Sequence, residues 1–192
     1  MNQTSFLSKK ELIALGIKKC GSNVKISRKA SLYGVENISI GTNVRVDDFC
    51  ILSGNITIGN NVHIAAYSAL YGASEGIEIH DFANISSRVC IYAISDDFSG
   101  VSMTNPTVPD EYKLIFEKRV IIEKHVIIGS GTTILPGAKI AEGCAIGAMS
   151  LCKNSTMPWT IYAGIPAKKI KRRKKELLLL EQAYIASKKS HI

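Results

Sequence analysis

Val-Ile-Ile-Gly-Ser-Gly-Thr-Thr-Ile-Leu-Pro-Gly-Ala-Lys-Ile-Ala-Glu-Gly-Cys-Ala-Ile-Gly-Ala-Met-Ser, residues 126–150, is the stretch whose reading decides the fold. Within it an aliphatic residue returns at every sixth position: Ile128, Ile134, Ile140 and Ile146. Four residues after each comes a compact one, Thr132, Ala138, Cys144 and Ser150. A helix would repeat its apolar positions about every 3.6 residues and an ordinary strand every two. A strict period of six requires short strands joined by corners, with three hexapeptides closing one triangular coil.

Outward from that stretch the same register holds over most of the chain. The anchors group as Cys20, Ile26, Leu32; Ile40, Val46, Leu52; Ile58, Ile64, Leu70; Ile79, Ile85, Ile91; Ile122, Ile128, Ile134; and Ile140, Ile146, Cys152. These predict an all-β solenoid, a parallel β-helix of about six coils, with anchors pointing inward and small fourth residues such as Val24, Val44, Val62 and Ala83 filling the space beside them. On this reading Cys20 and Cys152 are anchors, Cys50 and Cys144 are fillers, and all four are inert packing. Glycine follows the anchor at Gly41, Gly59, Gly129 and Gly147, where a tight corner would favour it.

The register breaks between Leu32 and Ile40, between Leu70 and Ile79, and at length between Ile91 and Ile122, always at the same corner. Insertions in a solenoid collect on one side, often the binding side. The longest, residues 93–119, is predicted to be an extruded loop carrying function. Caps are expected at both ends, because an open end exposes an apolar layer and free strand edges. The expected organisation is a cap segment over 1–19, the β-helix over 20–157, and a turn and helix over 158–192, with helical spacing from Lys171 to Lys188 through Leu177, Leu180, Tyr184 and Ile185.

Bulk properties exclude several classes. At 192 residues, with 46% apolar and 21% charged residues, the chain reads as one folded domain. No apolar run reaches the ~18 residues of a membrane span and no signal-peptide core opens the chain, so a cytoplasmic protein is expected. Five cysteines without C-x-x-C spacing argue against a disulfide framework and a zinc ribbon. The net charge of +8 concentrates late, in Lys168, Lys169, Lys171, Arg172, Arg173, Lys174 and Lys175, a cluster that attracts phosphates. No aromatic–basic interleaving accompanies it, and nucleic acid is not an expected partner.

Residues 126–150, together with Ala-Gly-Ile-Pro-Ala-Lys-Lys-Ile at 163–170, give the chain its resemblance to the hexapeptide-repeat acyltransferases, particularly the galactoside, maltose and xenobiotic acetyltransferase branch. The resemblance implies a left-handed coil, a homotrimer with active sites between subunits, acetyl-CoA as co-substrate and no metal. It places Ser86, Ser130, Ala148 and Lys153 along the cofactor, with Lys168 and Lys171 on its phosphates, and makes the backbone N–H of Ser130 an oxyanion donor. Tyr67, Tyr71, Tyr92 and Asp97 are the candidate acceptor contacts.

Where that branch carries a catalytic histidine, this chain has Ser95-Asp96-Asp97, with Asp96 nearest the matching position. A carboxylate is a weak base for a hydroxyl, so His63, at a corner of the third coil, is the rival candidate. His80 and His125 read as surface residues and His191 as part of the tail. The expected activity is acetyl transfer to a sugar hydroxyl in surface-polysaccharide biosynthesis. An amine acceptor needs less help from a base, which keeps N-acetylation of a nucleotide-linked amino sugar as the alternative. A non-catalytic β-helix scaffold or binding protein is a third reading, and a γ-type carbonic anhydrase is disfavoured because four histidines here lack the metal-binding spacing.

Overall fold

A computed structural model of the chain describes residues 5–189. Strands of two or three residues stack in register, anchor on anchor: Cys20 on Ile40, Ile40 on Ile58, Ile58 on Ile79, Ile79 on Ile122 and Ile122 on Ile140 form the first face. The second face stacks Ile26, Val46, Ile64, Ile85, Ile128 and Ile146 and then continues to Tyr162, so a partial seventh coil lies beyond the six read from the sequence. Leu32, Leu52, Leu70, Ile91, Ile134 and Cys152 make the third. All pairings between coils are parallel. At the corner between third and first faces the strands Ile51–Ile58 and Ala69–Ile79 run straight through and merge two faces into one sheet; the second absorbs the short insertion after Leu70, while the one after Leu32 forms a 3-10 turn at Val35–Asn37.

The anchors fill a dry core: Ile26, Val46, Leu52, Ile64, Leu70, Ile85, Ile91, Ile128 and Ile134 are fully buried. Cys50, Cys144 and Cys152 are buried among them, and burial raises the thiol pKa of Cys50 and Cys152, the latter to about 11. Cys20 departs from the expectation and is exposed, because it belongs to the first coil and has no coil above it. The glycines after the anchors also have a different cause from the one expected. Gly129 does not adopt a positive φ; a Cβ there would lie 2.4 Å from the Ala148 backbone nitrogen of the next coil. Close stacking of coils, not the corner's dihedral, demands glycine.

Both edges of the second face are closed by antiparallel segments. At the start, the Leu7 N–H donates to Ile26 O and Phe6 bridges Ser27, before helix α1 (Lys9–Ala14) opens on a capping box formed by Ser8 and Glu11. Arg28 grips Glu11 through two hydrogen bonds of 2.5 and 2.8 Å and holds its carboxyl down at about 2. At the other end Lys168–Arg172 pairs antiparallel with Thr160–Ala163. Residues 171–176, expected to be helical, are strand and turn instead; helix α2 covers Leu177–Lys189.

Helix α2 returns to the corner between first and second faces. There Phe82 stacks on His125 at 5.2 Å, with Trp159 tilted beyond it, and His125 Nε2 meets Glu181 at 2.9 Å. His125 is thus buried rather than a surface residue. Burial alone would raise the Glu181 pKa, but its bonds to Lys124 and His125 outweigh that and hold it below the ordinary range. Arg173 donates to the carbonyls of His125, Gly143 and Cys144, tying the start of this segment to the coils. Among the described residues no helix is long and apolar enough to cross a membrane.

Candidate active site

Two opposite edges of the third face carry the candidate residues. At the corner between second and third faces, register places Ser87, Ser130 and Ala148 in one file and Ser86, Gly129 and Gly147 in the file beside it. Ser86 therefore sits one position off the line through Ser130 and Ala148. The chain at this corner is stitched by backbone bonds, Gly131 N–H to Ser87 O at 3.0 Å and Met149 N–H to Ser130 O at 2.8 Å. The Ser130 N–H has no acceptor among the described residues, and the residue is exposed. Small side chains along the file leave backbone open to a ligand. The file runs on to Gly164, whose carbonyl accepts from Leu151 N–H at 3.0 Å, and beyond it to the exposed Lys168 and Lys171 opposite Ala163 and Ile161. Lys153 does not join them; it follows Cys152 on the third face, in register after Leu135 and Tyr92, at the far edge.

That far edge launches the long insertion. Ile94–Ser95 and Phe116–Glu117 pair antiparallel as its stem, and Lys118 N–H returns to Ala93 O at 2.9 Å. Beyond the stem the loop folds on itself around Asp97, whose carboxylate accepts from Ser99, Val101 and Ser102. Those donors, Ser99 first, push its pKa far below the usual carboxylate range. Asp97, expected at the acceptor, is thus spent on loop structure. Asp96 is exposed, and its carboxylate accepts no hydrogen bond among the described residues. It faces a recess of about 730 Å³ lined also by Tyr71, Tyr92, Ile94, Lys113, Ile115, Leu135 and Pro136. Tyr71 and Tyr92 stack at 5.1 Å within it. The structure thus brings Asp96, Tyr71 and Tyr92 together.

Tyr67 lies elsewhere, stacked on Phe49 at the second–third corner. His63 points from the second face, its Nε2 2.8 Å from Asp47 Oδ2 and its Nδ1 3.1 Å from Asn84 Oδ1, so both ring nitrogens are engaged. Lys113 lines the Asp96 recess and is not singled out by the sequence; its side chain is largely covered, and its ammonium pairs with the exposed Asp110 at 2.8 Å. Only the fold of the loop brings it there, and no local pattern marks it. Among the described residues no three His, Cys, Asp or Glu side chains group as a metal site.

Residues 37–72 and 119–154 match the bacterial transferase hexapeptide (six repeats) family. The chain is 49% identical over 183 residues to the dTDP-4-amino-4,6-dideoxy-D-glucose acyltransferase of Escherichia coli, covering 94% of this chain and 95% of that protein. It is 31% identical over 167 residues to WbbJ of Escherichia coli K12, provisionally assigned as a lipopolysaccharide biosynthesis O-acetyl transferase, covering 82% and 80%. AntD, an N-acyltransferase from Bacillus cereus solved with dTDP and 3-hydroxybutyryl-CoA, superposes with a TM-score of 0.95 at 52% identity, covering 97% of this chain and 100% of that one. AntD variants substituted at a serine or at an aspartate ten positions further on were solved with dTDP or dTDP-4-amino-4,6-dideoxyglucose and coenzyme A.

Proposed function

Since the chain belongs to the hexapeptide-repeat acyltransferases, with their left-handed coil, we propose that it moves an acyl group from acyl-coenzyme A to the amino group of a dTDP-linked 4-amino-4,6-dideoxy sugar. The observation that carries this reading is the unengaged carboxylate of Asp96 in an aromatic recess that no described histidine lines. A sugar hydroxyl needs a base to take its proton during attack, whereas an amine in its free form attacks through its own lone pair. The hydroxyl acceptor first expected therefore yields to the amine. The substrate named for the Escherichia coli relative and the ligands of AntD support the same choice.

Ser86 and Asp96 stand ten residues apart, as do the substituted serine and aspartate of AntD. Ser87 and Asp97 share that spacing, but the Asp97 carboxylate is consumed by loop donors, which favours the first pair. In the proposed reaction the amine nitrogen bonds to the thioester carbon and the carbonyl oxygen becomes an oxyanion met by the Ser130 N–H. Asp96 holds the amine through an N–H and stabilises the positive charge that grows on nitrogen. Collapse breaks the carbon–sulfur bond, and the departing thiolate receives the proton that the nitrogen loses.

Ser130 and Asp96 occupy opposite edges of one third face, so a complete site joins the corner of one chain to the recess of its neighbour in a homotrimer. Light scattering should report three times 20.9 kDa; a monomer that turns over would contradict the shared site. Lys168 and Lys171 are proposed to meet the cofactor's phosphates at the foot of the file. Lys168→Ala with Lys171→Ala should weaken coenzyme A binding by about 1–3 kcal/mol, read by calorimetry, with little change in Tm. The function itself is tested by mixing the protein with acetyl-CoA and dTDP-4-amino-4,6-dideoxyglucose and following thiol release and product mass. No acylated nucleotide sugar at any acyl length from acetyl to 3-hydroxybutyryl would refute it.

A further inference from the structure

At the corner between second and third faces each coil from the second to the sixth presents one residue in the left-handed region: Phe49, Tyr67, Arg88, Gly131 and Met149. An aromatic side chain in that conformation is disfavoured, and asparagine or glycine is the usual solution. The corner between first and second faces uses that solution in a ladder of Asn23, Asn43 and Asn61, the last of which also accepts from the Tyr184 hydroxyl of helix α2. Where that corner turns aromatic, at Phe82, His125 and Trp159, helix α2 or its leading segment covers it. Among the described residues the Phe49–Tyr67 pair has no such cover. The rings stack at 4.9 Å and 22°, yet they are 47% and 55% exposed.

Cations close the column at both ends. Lys29 Nζ lies 5.2 Å from the Phe49 ring centre and Arg88 Cζ 5.8 Å from that of Tyr67. Lys29 is neutralised by Asp48 at 3.1 Å, but Arg88 has no carboxylate partner among the described residues. Beyond Arg88 the column loses its side chain at Gly131, where a Cβ would meet the Met149 sulfur at 2.4 Å. The Met149 side chain fills that space, and the column ends where Gly131 N–H donates to Ser87 O, next to the open Ser130 N–H.

We propose that Phe49, Tyr67 and Arg88 form the nucleotide subsite of the acceptor. Arg88 takes the diphosphate, whose oxygens suit a planar guanidinium better than any other side chain. The exposed aromatic column packs on the pyrimidine nucleoside, and the sugar then falls at Ser86 and Ser87 beside the oxyanion donor. The acceptor and the acyl-coenzyme A share one corner, nucleotide towards the N-terminal coils and coenzyme towards Lys168. This inference rests on the dTDP-sugar reading above.

The test is calorimetric titration of the intact protein with dTDP, thymidine and coenzyme A, with light scattering of each variant. Arg88→Met and Tyr67→Ala should each raise the Kd for dTDP about tenfold or more and leave that for coenzyme A within about twofold. Tyr67→Ala should also weaken thymidine, while Arg88→Met should not, and Arg88→Lys should recover part of the loss. Wild-type affinity for dTDP in both variants overturns the subsite but not the acceptor reading. Loss of the oligomer in either variant overturns it too, by making the column a contact between copies of the chain. A wild-type protein that binds no dTDP overturns both readings.

Discussion

Asp96→Asn is expected to lower kcat for the dTDP-linked amino sugar about a hundredfold, with the KM for acyl-CoA moving less than about twofold. The substitution keeps the size of the side chain and removes its negative charge. That charge matters most in the transition state, when nitrogen becomes cationic, so the loss falls on kcat and not on cofactor binding. Stability should hardly change, since the carboxylate accepts no hydrogen bond from the described residues. His63→Ala should cost only a few-fold, because its ring is tied to Asp47 and Asn84 on another face. A large loss with His63→Ala and none with Asp96→Asn would reverse the assignment. The wild-type kcat/KM should rise with pH as the acceptor amine deprotonates, near pH 8 if the neighbouring C–O bonds weaken it as a peptide bond weakens an α-amino group.

Leu70→Ala is expected to destabilise the fold by about 2–5 kcal/mol, seen as a shift of the denaturation midpoint without a change in slope. Leu70 is fully buried and stacks between Leu52 and Ile91 on the third face. Truncation leaves a cavity that the neighbouring coils cannot close, since the backbone spacing of a β-helix is set by its hydrogen-bond ladder. In a solenoid each coil is stabilised mainly by its neighbours, so the coils on either side of the third should loosen with it. Tyr67→Ala, three residues earlier but exposed, should cost far less. A comparable loss there would mean that the corner column, not the core, holds this part of the coil.

The sequence was most informative where one residue answers to one constraint. An inward anchor must be apolar, and Ile26, Ile64, Ile85 and Ile128 announced the coils because nothing else competes for those positions. It was less informative where the constraint comes from a distant segment. His125 reads as a surface residue beside an anchor, and only the return of Glu181 on α2 buries it. Residues 171–176 carry helix-forming lysines, yet the open edge at Thr160–Ala163 draws Lys168–Arg172 into a strand before the helix can start. Within the candidate site, Asp96 and Asp97 are adjacent carboxylates of equal standing in sequence. What separates them is the set of loop donors that captures Asp97. Arg88 went unread because its meaning lies in the column above it, at intervals of eighteen to twenty-one residues.

Which acceptor atom is acylated separates the amine reading from the hydroxyl reading most directly. The decisive measurement is the ratio of kcat/KM for two acceptors that differ only there, dTDP-4-amino-4,6-dideoxyglucose and the dTDP sugar bearing a hydroxyl at carbon 4, with acetyl-CoA as donor. The structure predicts a preference of about a hundredfold or more for the amine, because the Asp96 recess offers a carboxylate and no described histidine. Equal rates, or a preference for the hydroxyl, would contradict it.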